Sequence, residues 1–223
     1  HRWIKYNIVN NPVKLVDPNG KEWVVVFDHE KKTVTIEAKY IPIGGSHASV
    51  EMAIGTWNNL SGDYSLMVGK EKYNVVFNLS IIDPSETDAL DPRQNTYKLV
   101  PELRDEAGNV DHNIMGQTNR RHISIRESEK DNGYVVAHEV GHSLGLLHPL
   151  NGAKGLMEED CGMSSGHHEI TKSNVESILR LAIHPEQRDM KYNSGIGSYE
   201  EIGSSKVDIT KPANLRLIKN RKI

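Results

Sequence analysis

The stretch YVVAHEVGHSLGLLHPL, residues 134–150, places three histidines, one glutamate and two glycines between His138 and His148. On a helix of about 3.6 residues per turn, His138 and His142 project from one face a turn apart, close enough to bind one ion. Glu139, the next residue along, sits beside that ion without being forced to ligate it. Gly145 is the residue that can carry the backbone through a left-handed conformation, so the chain doubles back and offers His148 as a third ligand. Three neutral imidazoles leave the fourth position of a tetrahedral zinc ion open to water, which distinguishes a catalytic site from a closed structural one. Zinc lowers the pKa of such a water from about 15.7 to about 7, and Glu139 is placed to take its proton. A solvated polar face is the bland alternative. It fits poorly, because Val135, Val136, Val140, Leu144 and Leu147 make the rest of the helix apolar, and a mostly buried helix does not carry histidines without partners.

Outward from this helix, the 223-residue chain is long enough to bury a core without disulfides. Its formal charge is −3, with lysine and arginine scattered rather than massed, which argues against a nucleic-acid or membrane-surface binder. No apolar run approaches the roughly 20 residues of a membrane-spanning helix. The only cysteine, Cys161, is read as a buried small hydrophobe. Residues 1–20 form a turn-rich lead-in, NNPVKLVDPNG being its clearest part. EWVVVFD and TVTIEA, separated by HEKK, predict a hairpin over 22–41. HASVEMAIGTWNNL predicts an amphipathic helix capped by Ser46, with Val50, Ala53, Ile54, Trp57 and Leu60 on its apolar side. YNVVFNLSII, 73–82, reads as a strand, and Asp83 to His112 as a long polar loop, functional or mobile. NIMGQT and RHISIRE read as two short strands, after which Asp131, Asn132 and Gly133 lead into the histidine helix. The succession predicts an α+β layered fold.

The pattern HEVGHSLGLLH resembles the extended zinc signature of the metzincin metallopeptidases. That resemblance implies a twisted mixed five-stranded sheet with a backing helix, an active-site helix and a C-terminal helix. It also implies a Met-turn beneath the metal, for which KGLMEED offers Met157, nine residues after His148. HHEITKSNVESILRLAIH resembles the family's closing helix, with Thr171 as N-cap and Val175, Ile178, Leu179 and Ala182 on one apolar face. The catalytic domain so defined spans 21–184, its upper part running to about 147 and its lower part from 148, and 185–223 is an extension without an assigned role. Pro149 resembles the serralysin branch. However, Glu159 stands where serralysins and astacins place a tyrosine ligand, so the branch stays open. Matrixins bind structural calcium. Asp83, Glu86, Asp88 and Asp91 show no recognisable ligand spacing for it, and His167 and His168 read as loop residues.

Residues 10–20 resemble the end of the Rhs-repeat-associated core, which in bacterial proteins precedes a variable C-terminal domain. This implies the detachable tip of a large secreted or cell-surface bacterial protein, a toxin-type effector among the roles such tips take. Together these readings give a zinc endopeptidase, monomeric as an isolated domain, with Glu139 catalytic and His138, His142 and His148 as ligands. A peptide substrate would pair with an edge strand at 112–118, where Ile114, Met115 and Gly116 lie, an expectation carried over from the family. Three alternatives stay open: a catalytically silent zinc module, a small-amide hydrolase, and an adhesive fragment to which the tail contributes.

Overall fold

The computed structural model describes residues 13–16, 23–87, 94–105, 107–148, 155–158, 169–183, 191–193, 198–200 and 215–220. They form a mixed α+β protein whose core is mostly sheet. β1 (Val13–Val16) pairs antiparallel with β2 (Val24–Asp28), and β2 with β3 (Thr33–Ile43), giving the expected hairpin. The lead-in is therefore not irregular throughout, because Val-Lys-Leu-Val between Pro12 and Asp17 contains no turn residue. The rest of 1–22 lies outside the described residues. In β3, Val34, Ile36, Ala38 and Tyr40 are all buried. Their period of two is what a strand with one face toward the core requires.

From β3 the chain passes through α1 (His47–Asn58) to the hairpin of β4 (Tyr64–Val68) and β5 (Glu71–Ile81), closed at Gly69 with φ 63°. β5 runs parallel to β3. On the other side of β3, β2 takes the first half of the strand. β6 (Gln94–Val100) takes the second half in parallel register, from Lys39↔Gln94 to Ile43↔Lys98. β7 (Gly116–Asn119) and β8 (His122–Arg126) form a hairpin whose second strand lies parallel to β6. Helices α2 (Gly133–Ser143) and α3 (Lys172–Ile183) follow, then a small hairpin of β9 (Lys191–Asn193) and β10 (Ser198–Glu200), and finally β11 (Leu215–Lys219). β11 adds to the edge of β4, and its Leu217 enters the core. The main order is β11-β4-β5-β3-β6-β8-β7, nine strands with β1 and β2 rather than five.

Several sequence expectations are corrected. The polar segment 83–112 contains β6, a central strand. Its composition is poor in apolar residues, but Asn95 and Tyr97 are fully buried and alternate with the less buried Thr96 and exposed Lys98. Ser46 does not cap α1 with its side chain. Its hydroxyl accepts from the Ile43 N–H and donates to the Tyr97 carbonyl, both at 3.0 Å, tying the helix start to β3 and β6. The edge strand starts at Gly116 rather than at His112. Asp111 diverts the preceding residues into a turn, its side chain accepting from Asn113 N–H and its carbonyl from Ile114 N–H. At α3, Thr171 and Asn174 cap each other: Asn174 Oδ1 accepts from Thr171 N–H at 2.8 Å, and Thr171 Oγ1 from Asn174 N–H at 3.3 Å. Val175, Ile178, Leu179 and Ala182 are buried along the face read from the sequence.

α1 lies over β3 and β5, α2 over β8 and β7, and the two helices pack side by side. Trp57 of α1 donates its indole N–H to the Ala137 carbonyl at 3.0 Å, and Tyr40 of β3 pairs with Ser143 at 2.9 Å. The middle and the C-terminal end of the histidine helix are thus anchored to fully buried aromatics. Among the described residues, no helix is long and apolar enough to cross a membrane.

Candidate metal centre

α2 begins where Asn132 accepts from the Val135 N–H through its side chain, and it ends in a turn at Gly145, φ 85°. The Gly145 N–H donates to the His142 carbonyl and the Leu146 N–H to the Gly141 carbonyl, and the chain folds back so that His148 faces the helix. The ring centroids of His138, His142 and His148 stand 4.7, 5.1 and 4.7 Å apart. His148 Nε2 lies 3.1 Å from His138 Nε2 and 3.0 Å from His142 Nε2. These separations approach the roughly 3.3 Å edge of a tetrahedron with zinc–nitrogen bonds of about 2.0–2.1 Å.

The other ring nitrogens decide the protonation. His138 Nδ1 faces the Leu156 carbonyl at 2.7 Å and His142 Nδ1 the Leu146 carbonyl at 2.8 Å. A carbonyl only accepts, so each Nδ1 carries the hydrogen and each Nε2 points a lone pair inward. Burial, together with the neighbouring His142, lowers the pKa of His138 to about 3, and burial lowers that of His142 to about 4, so both rings are neutral at pH 7. Inward lone pairs at this spacing repel one another and attract a cation. His138, His142 and His148 can therefore hold a metal ion, and among the described residues they are the one such group. His138 is buried, His142 half-buried and His148 exposed, so the centre opens on one side.

Glu139 stands next to this group and outside it. It is 5% exposed, and burial raises its pKa to about 7 against the lowering effect of the Thr118 hydroxyl. Thr118 Oγ1 lies 2.6 Å from Glu139 Oε2 and 3.0 Å from the Glu139 carbonyl. Met157 is 1% exposed beneath α2, where its sulfur occupies the space that a side chain at Gly141 would fill. Leu156, one residue earlier, supplies the carbonyl that orients His138.

Above the centre lies a cleft of about 940 Å³ between the segment 112–118 and α2. Ile114 and Met115 line it ahead of β7, Gly116 lines it within β7, and Leu146, Leu147 and His148 form the opposite wall. β7 is the last strand of the sheet path, so its outer edge borders the cleft. Thr118, Gly141 and Leu156 were not singled out from the sequence. The glycine inside the first turn of the motif was a signal for close packing, whereas the contact from Thr118 depends on strand register and had none. Asp83 caps a short 3-10 turn by accepting from Ser85 N–H at 2.8 Å, and Asp88, Asp91, Pro149, Glu159, Cys161, His167 and His168 lie outside the described residues. The chain matches no protein-family model, and no curated protein matches it.

Proposed function

We propose that this protein is a metzincin-like, zinc-dependent endopeptidase. One observation carries the reading: three Nε2 atoms converge at an open centre while a buried carboxylate, Glu139, stands beside them and not among them. A structural site has no use for such a carboxylate. The run β5-β3-β6-β8-β7, mixed in direction, with α1 packed on it, α2 bearing the histidines and α3 after the Met157 turn, supports the family resemblance.

His138, His142 and His148 would hold the zinc. When bound, zinc supplies a Lewis acid that polarises a carbonyl and brings the pKa of water to about 7. The chain's own residues do the rest. An extended peptide lies along the outer edge of β7 and pairs with its backbone, which gives affinity with little demand on sequence. Leu146 and Leu147 offer an apolar wall to one of its side chains. Glu139 takes a proton from the attacking water at its carboxylate and delivers it to the leaving amine. Within this reading the chain is the C-terminal tip of a larger, secreted or surface-exposed bacterial protein. The Rhs-core-like residues that suggest it lie largely outside those described.

The test is mass-spectrometric profiling of a proteome-derived peptide library with the zinc-loaded protein, with chelator, and with Glu139→Ala. The proposal predicts new termini with the first alone, the variant losing at least about 100-fold in rate, within the usual contribution of a general base. Cleavage by Glu139→Ala at the wild-type rate, or none by the wild type, would sink it; the second result favours a catalytically silent zinc module.

A further inference from the structure

We propose that Gly116 and Thr118 are positioning residues for Glu139, so that the strand on which a peptide would lie also sets the carboxylate that acts on it. The inference rests on the peptidase reading above. In the β7–β8 hairpin, Arg126 N–H donates to the Met115 carbonyl at 2.9 Å. Met115 and Arg126 are therefore a hydrogen-bonded pair. By the alternation of an antiparallel ladder, so is Gln117 with Ser124, two residues further along in register. The backbone N–H and C=O groups of Gly116 and Thr118 consequently point away from β8, toward the open edge. These are the groups that would pair with a bound peptide.

The same two residues hold Glu139 from the helix side. Thr118 Oγ1 lies 2.6 Å from Oε2, a short contact typical of a hydroxyl donating to a carboxylate. A Cβ on Gly116 would stand 2.6 Å from Glu139 Cγ, 2.8 Å from Cδ and 2.7 Å from Oε1. Gly116 has no left-handed φ, so its backbone would accept alanine. The glycine is required by the carboxylate and not by the turn of the chain. One residue thus grips an oxygen, and the other leaves room for the rest of the group. A peptide that shifts or straightens β7 acts on both restraints at once.

Three variants of the zinc-loaded protein, assayed on one peptide cleaved in the library, test this. Thr118→Val keeps the shape and removes the hydroxyl, Thr118→Ser keeps the hydroxyl, and Gly116→Ala intrudes on Glu139. Thr118→Val and Gly116→Ala should lower kcat about 10- to 100-fold with KM within about 2-fold, the loss expected for one hydrogen bond to a charged group. Thr118→Ser should recover to within about 3-fold of wild type, and zinc content should not change in any of them. A second measurement needs no turnover. In metal-free protein, Gly116→Ala should lower Tm by roughly 4 °C or more when Glu139 is present and by much less in the Glu139→Ala background. Wild-type kcat in Thr118→Val, or an equal Tm loss in both backgrounds, overturns the inference. Absence of cleavage by the wild type would sink the peptidase reading and leave the melts to decide this contact alone.

Discussion

A carboxyl group that is buried, yet would have to be charged to act as the proposed base, makes Glu139 the most exacting residue of the site. In the metal-free protein it opposes its neighbours. Between about 4.5 and 7, native Glu139 holds a proton that the unfolded chain has released, so its contribution to stability falls as pH rises through that window. His138 and His142 act in the other sense. Below their ordinary 6.5 the unfolded histidines take up protons that native His138 refuses until about 3 and native His142 until about 4, so their contribution falls as pH drops. Glu139→Gln removes only the first effect. In the presence of chelator, the stability difference between Glu139→Gln and wild type should therefore be smallest near pH 4.5. It should grow toward pH 8, to a gain on the order of 2–3 kcal/mol for the variant. Denaturant midpoints measured across that range check it, and a difference independent of pH would show that Glu139 is not held in a disfavoured charged state.

At the scale of the element, α2 is fixed from below by a contact that a helix-propensity argument would misjudge. Alanine is favoured over glycine inside a helix by about 1 kcal/mol, so Gly141→Ala ought to stabilise. Here its Cβ would overlap Met157 Sδ and come within 3.1 Å of Trp57 Cζ2, both fully buried. Overpacking of this kind costs about 1–3 kcal/mol, more than the propensity returns. Gly141→Ala should thus be net destabilising by about 1 kcal/mol, and shortening Met157 to alanine in the same chain should recover part of that loss. Thermal melts of the single and double variants decide the matter; a raised Tm for Gly141→Ala would mean that Met157 does not press on the helix as described.

Across the whole molecule, what could be read from the sequence was whatever short-range chemistry dictates. The histidine spacing, the Gly145 turn and the buried face of α3 follow from helical geometry and from the few residues that tolerate a left-handed backbone. What escaped depends on contacts far apart in sequence. β6 is polar in composition and becomes a central strand because β3 and β8 pair with it on both sides. β11 closes the sheet edge at β4, where Asn220 donates through its backbone to Asp63 and through its amide to Gly62, both at 2.7 Å. Its partner lies some 150 residues earlier, beyond the reach of any local pattern in LRLIK. The clamp on Glu139 by Gly116 and Thr118 likewise needs the register of β7 against α2, which no local pattern encodes.

Everything functional rests on three rings forming one metal site with Glu139 beside it. Native mass spectrometry of zinc-reconstituted protein tests that directly. One zinc ion per chain is expected in the wild type and in Glu139→Gln, and none in His142→Ala. Zinc retained by His142→Ala, or lost from Glu139→Gln, would contradict this.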